Sequence, residues 1–147
     1  MAKTLILLAE DDSGDIFLMK RAMDKASVSH PLNVVRNGEE AIHYLQGEGQ
    51  YADRKAHPFP SILLLDLNMP KKSGFEVLEW IRSHAELNRL PVVILSTSNQ
   101  EQDVRKAYDL GANSYLTKPS NFDNLVEMVK MVEANWLRIN VPPPCSP

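Results

Sequence analysis

Apolar positions along this chain follow two alternating rhythms. Short, largely apolar runs occur at Leu5–Ala9, Leu32–Val35, Ile62–Leu65, Val92–Leu95 and Tyr115–Leu116. Runs of this length read as strands buried on both faces, as in a parallel sheet. Between them, apolar residues step by three and four. Ile16, Met19, Met23 and Ala26 share one helix face, as do Ala41, Ile42 and Leu45, then Val77, Leu78 and Ile81, then Val104, Ala107 and Tyr108. A final helix is expected over Phe122–Ile139, with a core stripe of Phe122, Leu125, Val129, Val132, Trp136 and Ile139. The pattern predicts five βα units in succession, hence an α/β domain with a parallel sheet, helices on both faces and right-handed crossovers.

Two segments interrupt this regularity. Residues 47–60, "GEGQYADRKAHPFP", form a long polar loop containing Gly and Pro. It leads into the amino end of the third strand, the edge away from the strand carboxyl ends, and is a poor place for chemistry. The tail "VPPPCSP", residues 141–147, cannot be helical. The expected organisation is one domain over residues 1–140 followed by this Pro-rich tail.

Composition narrows the class. A chain of 147 residues suits one substantial core, and 44% hydrophobic with 24% charged residues is an ordinary folded composition. The net charge of −3 and the lack of a Lys/Arg cluster argue against nucleic-acid or membrane-surface binding. With Cys145 as the only cysteine, no intramolecular disulfide can form, which fits a cytoplasmic protein. The apolar "LILLA" near the start is too short for a signal peptide and ends in acids, and no segment is long enough to span a bilayer. The histidines at 30, 43, 57 and 84 have no metal-ligand spacing and are expected at the surface.

The chemistry lies at the strand ends. In parallel α/β sheets, ligands bind outside the carboxyl ends of the strands. The first strand delivers Glu10, Asp11 and Asp12 there, and the second Arg36 and Asn37. The third delivers Asp66 with Asn68 two residues on, the fourth Ser96 and Thr97, and the fifth Thr117, Lys118 and Pro119. Taken singly, "EDDSGD" reads equally well as helix-capping acids, Lys118 as a loop lysine, and Ser96 as a polar strand end. Asp66 is sharper, because it directly follows the buried-type run Ile62–Leu65. Clustered carboxylates repel one another, and a divalent cation removes the conflict. An oxygen-only ligand set suits Mg²⁺. Lys118 suits a phosphoryl oxygen, and the Ser96 hydroxyl can donate to another. The assembly reads as a site that accepts a phosphoryl group onto Asp66.

The motifs "LAEDD", "LLLDLNMPKKSG", "PVVILSTS" and "GANSYLTKP" together resemble the receiver domains of two-component response regulators, from about Thr4 to about Ile139. The resemblance implies a doubly wound, flavodoxin-like sheet in the order 2-1-3-4-5. It also implies Asp66 as phosphoacceptor and Asp11 as a direct Mg²⁺ ligand, with Glu10 acting through water and the Asn68 backbone carbonyl as a further ligand. Ser96 and Lys118 would bind the phosphoryl group, and Ser96 and Tyr115 would form the switch. The family are phosphoacceptors that catalyse only their own phosphorylation and dephosphorylation, and their partner is a sensor histidine kinase. "YLQGEGQYAD" and "NWLRINVPPP" further resemble single-domain receivers associated with phytochromes. With no output domain after the receiver, the expected output is another protein or a further phosphotransfer. "KPS" departs from the commoner Lys-Pro-Phe, and Phe122 is expected to fill that space. Asn68 and Ser98 occupy positions that tune phosphoryl lifetime in the family.

Other readings remain. A Mg²⁺-dependent aspartyl-phosphate phosphatase should carry its D-x-D on the first strand, and here D-x-N follows the third. An FMN carrier would not place "EDDSGD" at its phosphate loop. A receiver-shaped interaction module without phosphorylation would not need the complete acid–hydroxyl–lysine set. Val126, Met131 and Leu137 fall off the core stripe of the last helix. With the resemblance, they point to a homodimer through the last helices and strand five.

Overall fold

The computed structural model describes residues 5–139, with side chains through Trp136. The expected boundary at residue 140, the Pro-rich tail and Cys145 lie outside the described residues. Five strands form: β1 (Ile6–Ala9), β2 (Leu32–Val35), β3 (Ile62–Asp66), β4 (Val92–Ser96) and β5 (Ser114–Thr117). All pair in parallel, in the order β2-β1-β3-β4-β5. Helices α1 (Ser13–Lys25), α2 (Gly38–Gln46), α3 (Gly74–Arg82), α4 (Glu101–Asp109) and α5 (Phe122–Val132) follow the strands in turn. The parallel α/β fold predicted from the alternation, and the doubly wound order implied by the resemblance, are therefore the ones observed.

Strand parity divides the core into two layers. Leu7, Ala9, Leu63, Leu65, Val92 and Ile94 point towards α2, α3 and α4, packing with Ala41, Leu45, Val77, Leu78 and Ile81. Their neighbours Ile6, Leu8, Ile62, Leu64, Val93 and Leu95 point towards α1 and α5 and meet Ile16, Met19, Met23, Val126 and Val129. Side chains alternate across a strand, so a strand covered on both faces must be apolar at successive positions, as β1, β3 and β4 are up to their carboxyl ends. The edge strands β2 and β5 are less strict and carry Asn33 and Ser114.

Four helices start on the same local device. Asp12, Asn37, Ser73 and Asn121 each cap a helix, and each side chain accepts the backbone N–H three residues on, from Asp15, Glu40, Glu76 and Asn124. Asp12 and Asn37, two of the polar groups delivered to the carboxyl edge, are thus helix caps.

Several expectations need correction. Val126 is buried and belongs to the core stripe of α5, with Val129 and Val132, so it is not an outward residue. The projection misassigned it because Val126 and Leu125 straddle the stripe, and Leu125 is only half-buried. After Val132 the helix widens into a π-helical segment, Glu133–Ile139, which shifts the face that an α-helical projection assigns to Trp136 and beyond. On α4 only Ala107 is buried, and Tyr108 is exposed. Loop 47–60 is well organised. It carries a 3₁₀ turn at Gly49–Tyr51, and Arg54 donates to the carbonyls of Tyr44, Leu45 and His57. Three of the four histidines are half-buried, and His57 packs edge-on to Tyr44 and Tyr51.

Gly74 begins α3 against the strand end that carries Asp66. A Cβ there would lie 2.4 Å from the Asp66 carbonyl oxygen and 2.8 Å from Leu67 Cα, and both are backbone atoms that cannot rotate away. Gly74→Ala should therefore cost about 1–3 kcal/mol of stability, read as a lower urea midpoint. An unchanged midpoint would refute this close-packing account.

Candidate functional site

The strand register creates the site. Ile6 and Leu8 of β1 pair with Ile62 and Leu64 of β3. Extending that register by one pair of residues sets Glu10 beside Asp66 on the α1/α5 face. Both side chains are buried, although each sits where its strand meets solvent. Asp11, the next residue, is exposed. Glu10, Asp11 and Asp66 each offer a carboxylate oxygen, all within 4.8 Å of one another. An oxygen-only cluster of this size fits a hard divalent cation of the Mg²⁺ or Mn²⁺ type.

Lys118 closes the site. Its Nζ donates to Glu10 Oε1 at 2.6 Å, to Asp15 Oδ2 at 2.9 Å and to Asp66 Oδ2 at 3.3 Å. The backbone places it there, because the Lys118 N–H donates to the Ser96 carbonyl at 2.7 Å, carrying the β4–β5 pairing one residue beyond the sheet. The other oxygens are also engaged: Glu10 Oε2 accepts the Asp12 N–H at 3.1 Å, and Asp66 Oδ1 accepts the Asn68 N–H at 3.3 Å.

Three carboxylates around one ammonium leave an excess of negative charge in a partly desolvated place. Burial pushes the Glu10 carboxyl up to about 7, with the Asp66 charge adding to the rise, while the Lys118 and Asp12 hydrogen bonds oppose it. For Lys118, burial works against the charged form. Hydrogen bonds to Glu10 and Asp15 and the nearby Asp66 charge outweigh it and hold the ammonium protonated.

The remaining expected residues take these places. Ser96 is fully buried at the end of β4, and its Oγ accepts the Ser98 N–H at 3.0 Å. Ser98 Oγ donates to Asp103 on α4 at 2.6 Å. Tyr115 is half-buried on β5, and its hydroxyl donates to the Ser98 carbonyl at 2.8 Å. Ser96, Ser98, Tyr115 and α4 therefore form one hydrogen-bonded chain. Asn68 is exposed beyond Asp66. Arg36 ties the acidic loop from the other side, donating to the Asp11 carbonyl at 2.9 Å and to Ser13 Oγ at 2.6 Å. Phe122 is half-buried against the α1/α5 core, with the Arg21 guanidinium 5.5 Å from its ring centroid. Sequence reasoning missed Asp15. Its place three residues after the Asp12 cap marks it as a first-turn acid, but nothing local connects it to a lysine 103 residues away.

Residues 6–130 match the response regulator receiver domain, and the chain belongs to that family. It is 42% identical over 133 residues to Response regulator Rcp1 of Synechocystis sp., a match covering 90% of this chain and 88% of that protein. The structure of the phosphorylated cyanobacterial phytochrome response regulator RcpA superposes with a TM-score of 0.88 at 44% identity, covering 97% of this chain and 99% of that one. The Mn²⁺-bound form of response regulator Rcp1 gives a TM-score of 0.84 at 41% identity, covering 95% and 99%. No helix among the described residues is long and apolar enough to cross a membrane.

The shift at Glu10 has a measurable consequence in metal-free protein. A folded-state value raised from 4.5 to about 7 means that the native state binds more protons than the unfolded chain across that window. Stability must then fall as pH rises from about 4.5 to about 7, by up to about 3 kcal/mol for this group. Melting in EDTA should show this decline, and Glu10→Gln should flatten it. A slope that persists in the variant would assign the decline to other groups.

Proposed function

We propose that this receiver takes a phosphoryl group from a sensor histidine kinase onto Asp66 in a Mg²⁺-dependent reaction and signals through a phosphorylation-dependent change of its surface. The observation that carries the reading is the placement of Asp66: a buried carboxylate at the carboxyl end of the central strand β3, 3.3 Å from the Lys118 ammonium and grouped with Glu10 and Asp11. In the reaction, an Asp66 carboxylate oxygen attacks the phosphorus in line. The O–P bond forms as the P–N bond of the phosphohistidine breaks, and its electron pair stays on the imidazole nitrogen. Asp11, Asp66 and the Asn68 carbonyl would hold the cation, with Glu10 acting through water. When bound, the cation neutralises the charge that develops on the phosphoryl oxygens. Lys118 donates to one phosphoryl oxygen and the Ser96 hydroxyl to another. The protein is a phosphoacceptor that catalyses only its own phosphorylation and dephosphorylation.

The hydrogen-bonded chain supports a route for the signal. A hydroxyl donates once and accepts twice, so Ser96 can donate to a phosphoryl oxygen while keeping the Ser98 N–H. Any movement of Ser96 towards the phosphoryl group is passed to Ser98, and from there to Tyr115 and Asp103. This favours a second arrangement of the α4–β5–α5 face. The similarity to RcpA, a phytochrome response regulator, supports a phytochrome-type kinase as the donor.

The face itself supports a homodimer less broadly than the pattern suggested. Val126 is withdrawn into the core, and the Leu137 side chain lies outside those described. Among the described residues of α5, Met131 is an exposed large apolar side chain, at 64%, with Tyr108 of α4 exposed at 49%. A two-fold pair would bring both copies of Met131 into one interface.

Two experiments test these readings. Asp66→Asn should abolish labelling by a small phosphodonor with Mg²⁺, and undiminished label on the variant would sink the assignment. In sedimentation, the wild type should pair at high concentration, and Met131→Glu should weaken pairing about tenfold or more by placing a charge in the interface. Equal pairing by the variant would remove this face from the dimer.

A further inference from the structure

We infer that Asp15 is a positioning residue for Lys118, an inference that rests on Asp66 being the phosphoacceptor. An ammonium has three donors and no acceptor. Lys118 directs its three at three carboxylates: Glu10 at 2.6 Å, Asp15 at 2.9 Å and Asp66 at 3.3 Å. Two of these acceptors have other work. Glu10 and Asp66 belong with Asp11 to the oxygen cluster that fits a divalent cation, and Asp66 is also the attacking group. Once a cation and a phosphoryl group enter, both carboxylates turn part of their capacity away from the lysine. Asp15 is the one partner outside that cluster.

Its own position is firm. It lies in the first turn of α1, where Asp12 caps its backbone N–H at 3.1 Å. Its side chain is 41% exposed, against 17% for Lys118 and 8% for Asp66, so of the two carboxylates Asp15 is the one that meets the ammonium from the solvent side. A long, flexible lysine stem carries considerable rotamer freedom. A fixed anion on its outer side narrows that freedom and keeps the ammonium at the place where phosphoryl charge develops. Asp15 thus acts through Lys118 and touches neither phosphorus nor metal.

The test uses the full chain with acetyl phosphate as donor. Asp15→Asn removes the charge and retains the backbone N–H that Asp12 caps. At saturating Mg²⁺ and donor, its maximal labelling rate should fall about fivefold, the size expected for a partly exposed charge pair. The half-saturating Mg²⁺ concentration should stay at the wild-type value, and Asp15→Glu should restore most of the rate. A readout independent of activity is hydrogen exchange of the Lys118 ammonium by ¹⁵N NMR, which should be faster in Asp15→Asn. A wild-type rate in Asp15→Asn, unchanged ammonium exchange, or a loss explained by weaker Mg²⁺ binding would each overturn the inference. The Asp66→Asn control separates the two readings. Full label on that variant sinks the phosphoacceptor assignment and this inference with it. Label that needs Asp66 but ignores Asp15 sinks the positioning role alone.

Discussion

The interaction on which the site depends is the Lys118 ammonium held among carboxylates from three elements: Glu10 at the end of β1, Asp15 in α1 and Asp66 at the end of β3. Without a cation between them, Glu10 and Asp66 would meet as two buried like charges, an arrangement that forces protonation or separation. Burial is the main cause that raises Glu10 to about 7; the Asp66 charge adds to the rise and the Lys118 hydrogen bond opposes it. The same imbalance makes the site receptive. An excess of negative charge on oxygen ligands in a half-desolvated pocket suits a divalent cation.

The scaffold converts this electrostatic arrangement into a defined geometry. Parallel pairing of β1 with β3 fixes the relative height of Glu10 and Asp66, and strand parity puts both on the face covered by α1 and α5. The layer beneath is fully apolar, with Leu8, Leu64 and Leu95 all buried, so neither carboxylate can retreat to water along the strand. On the far side of the molecule, Arg82 donates to the carbonyls of Asn88, Leu90 and Gly111 and to Asn113 Oδ1, tying α3 to the loops before β4 and β5. At the carboxyl edge, Ser96, Ser98 and Tyr115 are joined by single hydrogen bonds, and the Tyr115 side chain also packs against the core layer of α2, α3 and α4.

Sequence reasoning reached the strands, the alternating α/β architecture and the acid–hydroxyl–lysine set because these rest on short-range patterns, whereas the doubly wound order came from the resemblance to receiver domains. The central strands, covered on both faces, require unbroken apolar runs, and each run gives way at the carboxyl edge to a polar residue: Glu10, Asp66 and Ser96. It failed where position depends on distant neighbours. Val126 was assigned outward because a helical projection has no knowledge of where α1 packs, and the π-helical turn after Val132 changes the period that such a projection assumes. His57 lies between two tyrosines only because loop 47–60 folds back over α2. The bland reading of "EDDSGD" was partly right, since Asp12 does cap α1.

What the sequence determined by itself was therefore the inventory: which residues form strands, which cap helices, and which charges arrive at the carboxyl edge. These follow from local periodicity, capping chemistry and the cost of burying polar groups. Only the tertiary structure decided how those charges divide their bonds. Asp15 and Lys118 are 103 positions apart, and no local rule could choose Asp15 over Asp11 or Asp12 as the third partner. That choice depends on the crossing of α1 over the sheet and on the β4–β5 pairing that carries Lys118 to within hydrogen-bond reach. Both are set by packing across the whole core.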